Sequence, residues 1–110
     1  ELAAAIHEAK ADLEASGLYA PLVGHVGDGN FHLCYILDPD DADEFARAEA
    51  HYGRMIDRAL AVGGTCTGEH GIGMGKKHFL RKEHPEGIAV MEAIKKALDP
   101  KDILNPGKVI

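Results

Sequence analysis

Two cysteines, Cys34 and Cys66, are all that the 110 residues contain, too few for a disulfide scaffold or a four-cysteine zinc site. Both read as small buried residues in a reducing cytosol, although either could approach a metal if one is bound nearby. No apolar run nears the roughly 18 residues of a spanning helix, and no signal peptide is visible. Basic residues are few, with 12 Lys and Arg against 18 Asp and Glu, so the formal net charge is -6. That balance argues against nucleic acid or an anionic membrane surface as a partner. Repeats and low-complexity segments are absent too. What is left, 45% hydrophobic and 27% charged residues, suits a soluble globular piece, expected in the cytoplasm.

The chemistry concentrates in two glycine-rich runs, Gly24-His25-Val26-Gly27-Asp28-Gly29-Asn30-Phe31-His32 and Gly64-Thr65-Cys66-Thr67-Gly68-Glu69-His70-Gly71. Asp28-Gly29 is a strong two-residue hairpin signal of type I′. Such a turn pairs Gly27 with Asn30, Val26 with Phe31 and His25 with His32, leaving opposed Cβ atoms about 4.5–5.5 Å apart. Two imidazoles at that spacing can converge on one divalent cation. Glu69 is the best third ligand, because the glycines around it let the backbone approach something closely. In an extended segment neighbours point to opposite faces, so with Glu69 toward a metal, His70 would face a substrate. Histidine titrates near ~6.5 and suits proton transfer at neutral pH.

Plainer readings stand beside these. A histidine in a strand is often just a hydrogen-bonded side chain, and Glu69-His70 also fits a flexible surface loop. Other motifs fail on inspection. His-Glu-x-x-His is absent, and the reversed form would need a histidine at Cys66. Gly75-Lys76-Lys77 lacks the hydroxyl residue and the upstream glycine of a P-loop, and Lys76 stands where a dinucleotide fingerprint needs its third glycine.

Around these runs the periodicity predicts a helix over 1–16 with Leu2, Ile6, Ala9 and Leu13 inward and Gly17 as its stop. A hairpin over 22–37 follows, apolar on both faces of its second strand and so expected to be covered on both sides, by this domain's own helices on one and by the absent domain on the other. Asp38 to Asp41 turn and cap a long helix carrying Phe45, Ala48, Tyr52, Met55, Ile56, Ala59 and Leu60, ended by Gly63-Gly64. Lys76, Lys77, Arg81 and Lys82 read as a solvated helical face. Pro85 starts a last helix with Ile88, Met91, Ile94 and Leu98, closed by Asp99-Pro100. Helices on an antiparallel hairpin make this an α+β fold.

The runs GHVGDGNFH and GGTCTGEHGIGMGKKHFL and the ending IKKALDPKDILNPGKVI together resemble the C-terminal domain of the FAD-linked oxidases, nearest the D-lactate dehydrogenase (cytochrome) and glycolate oxidase flavin-subunit group. The resemblance covers Gly24 to Ile110. It implies a ferredoxin-like substrate-capping domain of which this chain is part. It also implies oxidation of a small 2-hydroxy acid to the 2-oxo acid, with hydride transfer to FAD. His25, His32 and Glu69 match ligands of a divalent metal, zinc or manganese, that orients the substrate; His70 matches the catalytic base and Asn105 a residue that returns to the flavin. Relatives acting on larger diacids often carry asparagine where this chain has Cys34, which favours lactate or glycolate.

A chain of this length makes one domain, 1–110, and cannot also hold the FAD-binding domain. With Glu1-Leu2-Ala3 already in a helical pattern and no initiator methionine, it reads as a piece of a longer protein, inactive alone. The electron acceptor, a cytochrome, a quinone or another flavoprotein, would meet the intact enzyme, which could sit peripherally on a membrane. A free strand edge would allow two copies to pair. The rival reading is a self-contained metal-binding module or small zinc hydrolase using His25, His32 and Glu69.

Overall fold

The computed structural model describes residues 1–110. The order is α1 (Leu2–Ala15), β1 (Leu22–Val23), a 3-10 turn (Val26–Asp28), β2 (His32–Leu33), α2 (Ala42–Ala61), α3 (Lys77–Glu83) and α4 (Ile88–Leu98). Four helices and one antiparallel pair of strands make the fold α+β. The chain divides into two compact units, Glu1–Gly64 and Thr65–Ile110. None of its helices is long and apolar enough to cross a membrane.

In the first unit α1 packs on α2. Helix α1 ends where Gly17 takes a positive φ of 64°, closing its C-terminus in the left-handed conformation that glycine adopts without strain. Helix α2 starts at Asp41, whose side chain accepts the Glu44 N–H at 2.9 Å. Glu44 in turn reaches back to the Asp38 N–H at 2.6 Å. The first bond satisfies a donor that a helix start leaves open, and the second ties the preceding turn to the helix. Ala9, Ala48 and Ile56 are buried between the helices, together with His51; burying a side chain the size of Ile56 stabilises by roughly 1.5–3 kcal/mol. Phe45, expected in this stripe, is 49% exposed.

The hairpin forms, but not with the expected turn. Leu22 pairs with Leu33 and Val23 with His32, and the same register continues through Cys34 N–H to Pro21 O (2.9 Å) and Ile36 N–H to Tyr19 O (3.0 Å). His25 is therefore not opposite His32. A type I′ turn needs positive φ at both central residues, whereas Asp28 lies in the 3-10 turn and only Gly29, at 76°, crosses over. The carbonyl of His25 closes the loop, accepting the N–H groups of Asp28 (2.9 Å) and Asn30 (3.2 Å). Gly24 lies where the strands draw closest: a Cβ there would sit 2.4 Å from Asn30 O and 2.5 Å from Phe31 Cα.

Within residues 1–110 the hairpin is covered on one face. Leu18 and Ala20 are buried and Leu22, Leu33, Tyr35 and Leu37 half-buried on one side, while Tyr19, Val23, Cys34 and Ile36 on the other are exposed. The apolar residues of the second strand are thus shared between an inward and an outward row.

The second unit buries Cys66, Phe79, Leu80, Ile88 and Asp99. Its last helix begins later than Pro85, at Ile88, because residues 85–87 form a turn whose Gly87 and Ile88 N–H groups both bond the His84 carbonyl. Ile94 and Leu98 at the far end of α4 are exposed.

Candidate active-site loops

The candidate residues lie on the hairpin, on the loop between α2 and α3, and on the C-terminal tail. His25 leads into the 3-10 turn and is exposed, while His32 is half-buried in β2. With Val23 directly across from it, His32 does not have His25 as its opposed neighbour. Cys34 follows on the same face as His32 and is exposed, against the expectation of a small buried residue.

Glu69 and His70 sit on a bend. They do not face apart, because the alternation of side chains requires extended backbone and residues 68–70 are not extended. The His70 Nε2 and Glu69 Oε1 atoms are 3.9 Å apart, on side chains 69% and 41% exposed respectively. An imidazole and a carboxylate thus project together from the loop.

A loop this rich in glycine needs fastening, and side chains supply it. Glu83, at the end of α3, accepts the Cys66 N–H at 2.9 Å and also hydrogen bonds from the Cys66 thiol and Thr65. Burial opposes ionisation of Glu83, but these donors and the nearby His84 outweigh it and hold the carboxyl below its ordinary value. Burial, with the bond to Glu83 and its charge, pushes the Cys66 thiol up to about 11. A thiol so disposed is a donor to Glu83 and a poor nucleophile at neutral pH. Across the loop, the Thr67 hydroxyl donates to Gly71 O at 3.1 Å, and Lys76 Nζ donates to Thr67 Oγ1 at 3.3 Å. Lys76, which reads from sequence as solvated, therefore helps shape the loop.

Asn105 stands in the C-terminal tail with φ 49°, a left-handed conformation that asparagine tolerates. The Lys108 N–H bonds its carbonyl at 3.2 Å, and with Pro106 second and Gly107 third at φ 72° the segment fits a type II turn. Buried Asp99 holds the approach, accepting the Ile103 and Leu104 N–H groups at 3.0 and 2.9 Å and pairing with Lys95. That Lys95 bond, against some burial and with the two N–H groups, lowers the Asp99 carboxyl to about 2. Val109 N–H donates to Gly73 O at 2.8 Å, and Lys77 Nζ to Gly107 O at 3.3 Å. The tail is thereby tied to the glycine-rich loop that carries His70. Glu83, Asp99 and Lys76 escaped sequence reasoning; the only signal for Glu83 is an acid among basic residues on a short helix.

Imidazole and carboxylate are side-chain types that suit zinc or manganese as donors. A family model described as FAD linked oxidases, C-terminal domain, matches residues 1–109. A protein named as probable mitochondrial D-lactate dehydrogenase from Danio rerio is 53% identical over 96% of this chain and 21% of its own length. The mitochondrial D-lactate dehydrogenase (cytochrome) of Arabidopsis thaliana is 47% identical over 99% of the chain and 19% of its own length. Glycolate oxidase subunit GlcD of Bacillus subtilis is 46% identical over 78% of the chain and 18% of its own length. The chain thus spans about a fifth of the length of these relatives.

Proposed function

Because the chain belongs to the C-terminal domain family of the FAD-linked oxidases, we propose that it serves as the C-terminal, substrate-handling part of a D-2-hydroxy-acid dehydrogenase whose FAD-binding domain lies outside residues 1–110. The substrate class is a small 2-hydroxy acid, D-lactate or glycolate, in keeping with the relatives' names. The single observation that carries this reading beyond the family is the Glu69–His70 pair, a carboxylate and an imidazole 3.9 Å apart on a loop fastened by Glu83.

His70 takes the substrate's hydroxyl proton as hydride leaves C2, so that the 2-hydroxy acid becomes the 2-oxo acid. FAD, when bound, supplies the hydride acceptor. His25, His32 and Glu69 are the residues that would hold a divalent cation, zinc or manganese, whose chemistry is Lewis-acid polarisation and orientation of the substrate oxygens. Asn105, on the turn fixed by Asp99, is assigned to the flavin. The electron acceptor of the intact enzyme would be a cytochrome, following the name of the Arabidopsis relative, with quinone or another flavoprotein as the alternatives. For location, a cytoplasmic protein attached peripherally to the acceptor's membrane stands beside relatives named as mitochondrial. The sheet has only two strands, and an outer edge supports pairing of two copies, which light scattering tests.

The deciding experiment expresses this sequence within its full-length parent and assays dye reduction. A yellow protein that oxidises D-lactate or glycolate in preference to D-2-hydroxyglutarate supports the proposal. A protein without flavin, or hydrolytic activity of the 110-residue chain by itself, supports the rival metal module and sinks it.

A further inference from the structure

The loop that presents Glu69 and His70 has almost no backbone structure of its own. Gly63, Gly71 and Gly73 all adopt positive φ, at 78°, 75° and 53°, and no helix or strand runs between α2 and α3. Each glycine adds conformational freedom that must be lost when the loop is ordered. A base and a ligand that must hold position to within a fraction of an ångström therefore need a fixed point from outside the loop.

We infer that Glu83 is that fixed point, a positioning residue that sets where Glu69 and His70 stand by clamping Thr65 and Cys66. Its carboxylate gathers the Cys66 N–H at 2.9 Å, the Cys66 thiol and Thr65, and its side chain is only 12% exposed. Cys66, at 2% exposure, is a buried pivot at the start of the loop. From there the chain is braced again by Thr67 to Gly71 and by Lys76 to Thr67. Residues 67–71, with the catalytic pair between them, are thus held at the stem by Glu83 and across the neck by Thr67. Charge matters as well as shape, since a carboxylate accepts from all three donors and its hydrogen bonds are stronger than those of a neutral amide. The inference rests on the function proposed above, because it treats Glu69 and His70 as the groups being positioned.

Glu83→Gln, which keeps size and removes charge, tests it in the full-length flavoprotein beside His70→Gln. The clamp predicts a fall in kcat/KM for D-lactate of roughly tenfold or more, with flavin content unchanged and faster amide exchange confined to residues 65–71. In the same full-length flavoprotein, with Cys66 followed by peptide mass spectrometry, Glu83→Gln is expected to move the alkylation midpoint of Cys66 downward in pH. If alkylation shifts but kcat/KM stays within about twofold while His70→Gln is inactive, the inference is overturned and the proposed function stands. If His70→Gln turns over normally, both fall. Should Glu83→Gln unfold, Thr65→Val, which removes one donor to the same carboxylate, replaces it in the same exchange and turnover measurements: a smaller loss in both supports the clamp, and no loss refutes it.

Discussion

The phenolic oxygen of Tyr35 lies 2.5 Å from Nδ1 of His51, whose other ring nitrogen is 3.0 Å from the carbonyl of Ala9. A carbonyl only accepts, so Nε2 carries the ring proton and Nδ1 accepts from Tyr35. Burial, with the neighbouring Tyr52 and Asp12, pushes the Tyr35 hydroxyl up to about 12, so it stays a donor at neutral pH. His51 is fully buried, and through it the hairpin extension, α1 and α2 are joined. Tyr35→Phe leaves a buried acceptor without its donor and is expected to lower unfolding free energy by roughly 1–3 kcal/mol. His51→Leu orphans the hydroxyl instead and should cost a similar amount. Urea midpoints check both; unchanged midpoints would mean that the pair adds no net stability.

A second prediction concerns acid. Asp12 accepts Arg54 Nε at 2.9 Å and Nη2 at 2.8 Å, with Arg58 Nη2 at 2.7 Å. The Arg54 hydrogen bond, opposed by burial and joined by Arg58, holds its carboxyl well below the usual range. A folded-state value below the unfolded one contributes stability that is complete above the unfolded pKa and lost as pH falls toward the folded value. Stability should therefore drop between about pH 5 and about pH 2, with Asp99 adding to the same limb. Asp12→Asn is expected to be less stable at neutral pH and to show a flatter acid limb. Parallel limbs in pH-resolved urea titrations would reject the assignment.

Gly24 and Gly27 separate close approach from mere loop composition. A methyl at Gly24 meets backbone at 2.4 Å, whereas Gly27 has open space around its Cβ position. Gly24→Ala should cost about 1–3 kcal/mol by forcing the strands apart beside His32, and Gly27→Ala should be close to neutral. Thermal midpoints that fall equally for both would show that the approach at Gly24 does not constrain the hairpin.

These cases also show what was legible in sequence. Helix ends marked by local chemistry, Gly17, Asp41 and Gly63, fall where their residue types predict, because capping depends only on neighbours in the chain. The hairpin register did not, since the Asp28-Gly29 turn preference competed with a strand contact at Gly24 that no local pattern reveals. His51 was hidden because a helical hydrophobic stripe counts histidine as polar, although here its two nitrogens find partners on α1 and the hairpin. Residue type pointed to Glu69 and His70. Their common direction came from the bend at 68–70, and their fastening from Glu83, whose partner Cys66 is distant in sequence.

The roles proposed for the candidate residues predict that metal retention and proton transfer are separable. His25→Ala, His32→Ala and Glu69→Gln each remove a donor suited to a divalent cation, so metal content per flavin in the full-length protein should fall in all three, and dialysis against a chelator should mimic them. His70→Gln leaves that donor set whole. It is expected to keep metal and flavin while losing turnover by roughly 10²–10⁴, the scale of a missing general base. Elemental analysis with flavin absorbance and D-lactate turnover on the same preparations distinguishes the two classes. Metal lost equally from His70→Gln would make His70 a ligand instead of the base, and metal kept by all three donor variants would remove the cation from the proposal while leaving His70 to be judged by its turnover alone.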